Sequence, residues 1–535
     1  MKNYPYYESP LINNLQELIA LCAEKYGNKT AFTFERNKEI IRISYLQFKQ
    51  DVNTLASKFA SMGLHNEKIA VIGENSYEWI ITYFAAVNYG NVIVPLDKEL
   101  PAADLANLIQ DSGTQMLVYS NDFTDIADYL QNILAGIQHY LNMKNIPEIL
   151  TSEEKKENHC EIDNNAHAVL LYTSGTTGSA KGVMLSHHNL VNNIIGASQH
   201  VDIIGSNMLV LPLHHVFGFV SATATMLYKG SEIAINASLK NVLSDLEKYN
   251  PSNMFLVPLF VETFYKKIWE GAKKKGKEKL LRKLIGVSNF LLKFGIDVRR
   301  TLFKSVLSAF GGNLKLIVSG GAPLDEKYAK GLRDFGINVL NGYGITECAP
   351  VVSVNRNNYY RDGSIGLVLP CCEVKILQPD EKGHGEICVK GDIVMLGYYK
   401  NERATAETFE GEWFKTGDVG YMDSDGFLYI SGRKKNLIIL NNGKNVCPEE
   451  LESALLNQIP YIKEVVVFAH GQTITTEVFL DTENDPTCAT RLDNDIVLFN
   501  KNQAPYKSIG KVIVRETEFP KTTTKKIKRA CNREV

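Results

Sequence analysis

In "KIAVIGENSYEWIITYFAAVNYGNVIVPL", residues 68 to 96, two Val/Ile-rich runs flank a stretch whose apolar residues recur at helical spacing. The pattern predicts strand, helix, strand, the unit from which parallel sheets are built. The same alternation returns at 115 to 119, 207 to 235 and 314 to 340. From about residue 360 the texture changes to short segments such as "GEICVKGDIVMLGYY" and "GYMDSDGFLYISG", which read as antiparallel strands joined by Gly/Asp turns. "HAVLLYT", 167 to 173, reads as a buried strand. "VMLSHHNLVNNIIGA", 183 to 197, reads as a helix with Ser186 as its cap. A charged break at "GRKKN", 432 to 436, marks a domain junction, so the chain is divided as 1–432 and 433–535, the second part a small α+β unit. No internal repeat or low-complexity linker interrupts this order.

Composition narrows the class. At 535 residues the chain needs at least two domains, and 44% apolar with 22% charged residues is an ordinary globular balance. A net charge of −2 gives no global attraction to nucleic acid. Nine cysteines are scattered without framework or zinc spacing, which fits a reducing compartment. The start lacks the unbroken apolar stretch of a signal peptide, and no run nears the roughly 20 residues needed to span a bilayer. The expectation is a cytoplasmic protein.

Between the strand and the helix lies "TSGTTGSAKG", 173 to 182. Glycines let backbone N–H groups approach an oxyanion, the hydroxyls of Thr173, Ser174, Thr176 and Thr177 can donate, and Lys181 adds charge. Gly175 and Gly178 give the loop its freedom. A strand, a glycine loop and a helix together make an anion site, and phosphate is its natural guest. Gly178 and Lys181 are too close for a Walker A loop, so this is another kind of nucleotide loop.

Further constellations carry chemistry. "NGYGITE", 341 to 347, follows the strand "INVL". Its Tyr343 can stack a purine, Thr346 can meet a phosphate, and Glu347 can hold Mg²⁺. "FKTGD", 414 to 418, ends in Asp418, a carboxylate suited to ribose hydroxyls, with Arg433 fifteen residues on. "PKTTTKKIKR", 520 to 529, is a basic tail.

Taken together, "YTSGTTGSAKGV", "LPLHHVFG", "SGGAPL", "NGYGITE", "FKTGD", "GRKKNLI" and "PKTTTKKIKR" resemble, in order and interval, the acyl-adenylate-forming superfamily, which includes acyl-CoA synthetases, luciferases and peptide-synthetase adenylation domains. The resemblance runs from roughly residue 30 to the C-terminus and is greatest to long-chain fatty acyl-CoA synthetases. It implies an α/β fold: a large multi-layer N-terminal domain with parallel sheets and a distorted antiparallel barrel, then a small mobile α+β C-terminal domain. It also implies ATP, Mg²⁺ and coenzyme A as cofactors. Gly320, Gly321 and Ala322, with Asn341, Gly342 and Gly344, carry the family's adenine and acyl positions, and His215 matches its pocket histidine, with a hydrogen-bonded core histidine as the alternative reading. Thr173 and Glu347 would hold the metal. Lys526 matches the tail lysine that bridges carboxylate and phosphate. Lys525 stands where the family usually has Gly, and Lys526 is assigned because Ile527, Lys528 and Arg529 keep the spacing behind it. Lys435 matches the hinge. In the thiol-attack pose Gly443 would leave room for the pantetheine arm.

The acid is addressed by 262 to 310, where Leu, Phe and Ile at helical spacing are mixed with many Lys and Arg. Long-chain members resemble this stretch in length and character. A basic amphipathic helix also reads as a membrane-surface element, and an ordinary surface helix pair gives the same pattern. The implied activity is ligation of a medium- to long-chain fatty acid to coenzyme A through an acyl-adenylate. Partners are then the acid, coenzyme A and a membrane surface, with an acyl carrier protein as alternative acceptor and no nucleic acid. A stand-alone adenylation enzyme, a luciferase-type oxygenase and a non-catalytic lipid- or nucleotide-binding protein are the other readings.

Overall fold

Strands buried at every position set the frame. Val92–Pro95 and Leu316–Ser319 show no exposed face, as strands of a sheet covered on both sides must. The computed structural model describes residues 2–152, 160–173, 180–236, 238–440, 445–471, 473–521, 527 and 529. It divides into two units, Met1–Glu373 with Lys390–Glu412, and Val374–Val389 with Trp413–Val535.

The first unit holds two sheets. In one, Asn338–Gly344, Leu316–Ser319, Asn253–Leu256, Ser206–Leu209, Glu232–Ile235 and Thr30–Arg36 run parallel in that order, and antiparallel strands close both edges. In the other, His167–Thr173, Val92–Pro95, Lys68–Ile72, Met116–Tyr119 and His139–Asn142 are parallel neighbours. The predicted strand, helix and strand of 68 to 96 are Lys68–Ile72, Tyr77–Val87 and Val92–Pro95. Ser76 caps that helix, its hydroxyl accepting the Trp79 N–H at 3.2 Å. The helix is buried almost all round, with Tyr83 and Phe84 packed on Phe219 and Phe84 also on Phe48. It is an interior layer, so the expected multi-layer arrangement is what the sequence builds.

Two local expectations change. "KGVMLS" is a strand, Lys181–Ser186, paired antiparallel with His167–Thr173, and the helix begins only at His187. Val183 and Leu185 alternate inward there, and that two-residue period overrides the helical reading of the same residues. Ser186 does cap the helix, in a reciprocal box with Asn189. The second correction concerns "DIVMLGYY": its Gly397–Tyr398 leaves the antiparallel sheet and pairs with Met184 and Val183 at the edge of the seven-stranded sheet.

The stretch 262 to 310 forms most of the helix Pro258–Lys274, the helix Glu278–Leu292 and two short helices, Arg299–Leu302 and Lys304–Leu307. Phe264, Ile268, Leu281, Phe303 and Phe310 face one apolar core with Leu246 and Leu332.

In the second unit, Gly385–Gly391, Trp413–Met422 and Leu428–Arg433 are antiparallel neighbours. Residue 433, the expected boundary, ends the last of these strands. The chain continues through the helix Pro448–Gln458 to a three-stranded sheet, Ile462–His470, Thr473–Leu480 and Lys511–Arg515, with the helix Cys488–Lys501 closing its own core.

Candidate active site

The hairpin that carries the glycine loop brings its two ends together. Thr173 and Lys181 are paired across the strands, and the Thr173 hydroxyl donates to the Lys181 carbonyl at 3.4 Å. The strand before the glycine loop is thus followed by a second, antiparallel strand, Lys181–Ser186, and the helix begins only after it, at His187. Ser174, Gly175, Thr176, Thr177 and Gly178 lie outside the described residues.

Lys181 Nζ stands 4.8 Å over the Tyr398 ring, and the Tyr398 hydroxyl donates to Glu347 Oε1 at 2.9 Å. Burial, and then the Glu347 carboxylate beside it, push the Tyr398 phenol well above its ordinary range, so it stays a donor. Lys181 and Glu347, far apart in sequence, are thus joined by a residue the sequence reading passed over. The signal was thin: a Tyr after Gly397 in an apolar run. Its role depends on Tyr398 pairing with Val183, which only the folded register shows.

Glu347 sits in the short turn Thr346–Cys348 that follows the strand Asn338–Gly344. Its backbone is held by Met395, whose N–H donates to the Glu347 carbonyl at 2.8 Å. Along the strand, Asn341 lies opposite Ser319, and its side-chain N–H donates to the Ser364 carbonyl at 3.0 Å. The Asn341 side-chain oxygen is buried with no hydrogen-bond partner among the described residues, which leaves its acceptor capacity unused. Tyr343 is buried opposite Ser353 and Gly342 opposite Val354. At Gly344 a Cβ would fall 2.3 Å from the Pro350 carbonyl oxygen, so only glycine fits.

Gly320 and Gly321 follow the neighbouring strand, Gly321 with φ of 84°, and Ala322 lies in the same turn. A Cβ on Gly320 would lie 3.3 Å from Phe217 Cζ, which brings "SGGAPL" against "LPLHHVFG". Of the two histidines there, His214 is the buried one and His215 is half-buried, their rings 4.2 Å apart. Burial, then His215 and Lys98, hold His214 well below the ordinary imidazole range, so its 3.4 Å approach to Asp97 Oδ1 is a neutral contact and not an ion pair. His214 is thus a core histidine.

The second unit positions another part of the predicted set. Asp418 and Arg433 are register partners, Arg433 Nε donating to Asp418 Oδ1 at 2.7 Å, with Asp418 only 4% exposed. Lys434 donates to Glu386 Oε2 at 2.6 Å. Lys435 lies in the turn Lys434–Asn436, and Asn436 donates to Glu449 Oε1 at 2.6 Å. Gly443 and Lys526 lie outside the described residues. Their flanks are placed: Lys521 bridges Ile527 through the backbone and pairs with Glu464, and Arg529 pairs with Glu452.

The oxygen donors Thr173 and Glu347 suit a hard cation such as Mg²⁺, which uses one or two carboxylates and completes its shell with phosphate and water. Among the described residues no group of three or more His, Cys, Asp or Glu gathers as a dedicated metal cage.

Comparison with known proteins gives the same direction. Residues 20–399 match the family model of the AMP-binding enzyme, and 435–533 match the AMP-binding enzyme C-terminal domain. A long-chain-fatty-acid–CoA ligase, FadD15 of Mycobacterium bovis, is 29% identical over 536 residues, 89% of this chain and 88% of that protein. ACSBG1 of Mus musculus, also a long-chain-fatty-acid–CoA ligase, is 29% identical over 520 residues, 87% of this chain and 71% of that protein. Among solved structures, the Mycobacterium tuberculosis fatty acyl CoA synthetase superposes with a TM-score of 0.69 at 22% identity, covering 96% of each chain.

Proposed function

This chain belongs to the AMP-binding enzyme family, and on that premise we propose that it is an ATP-dependent acid–thiol ligase that joins a medium- to long-chain fatty acid to coenzyme A. The observation that carries the reading is the run of contacts Thr173, Lys181, Tyr398, Glu347, which links hydroxyl, ammonium and carboxylate groups beside the paired strand ends that flank the glycine-rich stretch. The long-chain acid is supported by the relatives, both long-chain-fatty-acid–CoA ligases.

A carboxylate is a poor acyl donor because its leaving group would be oxide. In the first half-reaction its oxygen attacks the α-phosphorus of ATP, and pyrophosphate leaves with the bond electrons. Two anions must meet, and the ammonium of Lys181 with the loop N–H groups offsets their repulsion. Within the first unit Asn341 and Tyr343 are assigned to the base and His215, Gly320 and Gly321 to the acyl end; in the second unit the Asp418 and Arg433 pair is assigned to ribose hydroxyls. Lys526 supplies the charge that bridges carboxylate and phosphate. Mg²⁺, when bound by Thr173 and Glu347, would supply charge neutralisation at the phosphates. In the second half-reaction the coenzyme A thiol attacks the acyl carbonyl, its proton is lost, and AMP leaves. For this step Lys435 is the proposed hinge and Gly443 the residue proposed to leave room for the pantetheine arm.

The finer readings are that the acceptor is free coenzyme A before any carrier protein, and that the enzyme works in the cytoplasm, touching a membrane surface through 262 to 310. An acid panel scored by AMP release with coenzyme A, with a pantetheinylated carrier protein and with neither tests the acceptor. Release with the carrier protein alone contradicts it.

A further inference from the structure

The helix Glu278–Leu292 carries two apolar faces. One is turned inward: Leu281 and Ser288 are buried, and Leu284 and Ile285 pack on the core beneath. The other is exposed among the described residues. Leu280, Val287 and Phe294, spaced by seven residues, are 51%, 46% and 68% exposed, and Phe290 between them is 59% exposed. Seven residues are close to two turns, so Leu280 and Val287 lie in line with Phe290 beside them, and Phe294 extends the stripe from the turn after Leu292. The Phe290 and Phe294 rings meet edge-on at 5.2 Å. Gly295, with φ of 78°, then reverses the chain, and Ile296 follows at 52% exposure. Single exposed apolar residues need no account, but a continuous stripe of Leu, Val and two Phe does.

Charge says what covers it. From 273 to 293 the chain has eight Lys and Arg and one acid, Glu278, which is paired with Arg282 at 2.8 Å. The whole protein carries −2. Lys279 and Lys283 are exposed along the helix that bears the stripe, and Lys293 is exposed at its C-cap. A second copy would bring two equally basic faces together, which like-charge repulsion opposes. Aromatic and aliphatic tips set among lysines match a surface whose phosphates lie above its hydrocarbon.

We propose that Leu280, Val287, Phe290 and Phe294, with Lys279, Lys283 and Lys293, form a docking face for an anionic lipid bilayer. This rests on the fatty-acid reading above only for its purpose, delivery of a substrate that partitions into lipid. It refines the expectation from the sequence, in which the whole stretch 262 to 310 carried the contact: the apolar anchor lies toward the end of the helix Glu278–Leu292 and in the turn after it, at Phe290 and Phe294.

The test is co-sedimentation of the full-length protein with vesicles of phosphatidylcholine alone and of phosphatidylcholine with phosphatidylglycerol. The wild type should partition about tenfold more strongly onto the anionic vesicles, and rising salt should remove the excess. The double variant Phe290→Ser with Phe294→Ser should lower partitioning onto both by about tenfold, and Lys279→Glu, Lys283→Glu and Lys293→Glu together should abolish only the anionic preference. All five positions are exposed, so the fold is kept, and turnover of dissolved octanoate should be unchanged in both variants. Equal sedimentation of variants and wild type overturns the docking face. So does a lipid-free dimer that the phenylalanine variant dissolves. An enzyme inactive on every acid that still sediments in this pattern refutes the ligase reading and leaves the docking face standing.

Discussion

The Tyr398 hydroxyl donates a 2.9 Å hydrogen bond to Glu347 Oε1 across 51 residues of chain, while the same ring lies under Lys181. Tyr398→Phe keeps the ring beneath the lysine and removes only the donor. The free carboxylate oxygen can then turn, and adenylation should slow by about tenfold to a hundredfold, as for loss of a preorganised contact. Pyrophosphate exchange should register this with the fold intact by thermal melting. Unchanged exchange would leave Tyr398 a packing residue.

Lys526 should be needed for the first half-reaction only. Lys526→Ala should slow adenylation by at least about a hundredfold, while thioester formation from supplied acyl-adenylate survives. If Lys525→Ala shows that selective loss instead, the register of the tail is one residue earlier.

Gly344 has no room for a side chain, since a Cβ would stand 2.3 Å from the Pro350 oxygen. Backbone atoms cannot step aside as a side chain can. Gly344→Ala should destabilise the protein by roughly 1–3 kcal/mol and disturb Thr346 and Glu347 beyond it. Thermal melting together with exchange kinetics checks this; a neutral variant would contradict the packing.

Acid should loosen the first unit through its buried histidines. Burial is the main cause that lowers His187 to about 4, and its Nδ1 accepts the Leu15 N–H at 3.3 Å. The unfolded chain binds the proton at its ordinary value of 6.5, the folded chain only near 4, so stability falls as the pH drops through that window. His187→Gln keeps an acceptor and should flatten the fall in melting temperature between those two values. An identical slope in the variant would place the acid sensitivity elsewhere.

How far the sequence led can be read at particular residues. The buried strands and the unit at 68 to 96 were legible because long apolar runs allow one reading, and Ser186 was legible as a cap because a hydroxyl before a helix has a specific partner. The hairpin arm Lys181–Ser186 was not, since Val183 fits a strand period with Leu185 and a helical one with Leu190, and only pairing on both sides chooses. Tyr398 was invisible for a related reason. Nothing local distinguishes it from Tyr399 beside it; register places one on Glu347 and the other against the Ser112 carbonyl. Asp418 and Arg433 were each legible as charges, yet their partnership needs the hairpin that sets them opposite.

The most direct test of the central claim is pyrophosphate exchange into ATP, measured with purified protein against acids from acetate through octanoate to long chains, with and without Mg²⁺. Exchange should require acid and metal, and should rise with chain length as each buried methylene adds roughly 0.8 kcal/mol until the acyl site is full. A profile peaking at acetate or an aromatic acid would remove the fatty-acid assignment and keep adenylation. No exchange with any acid, from protein that is folded and binds ATP, would contradict the account itself.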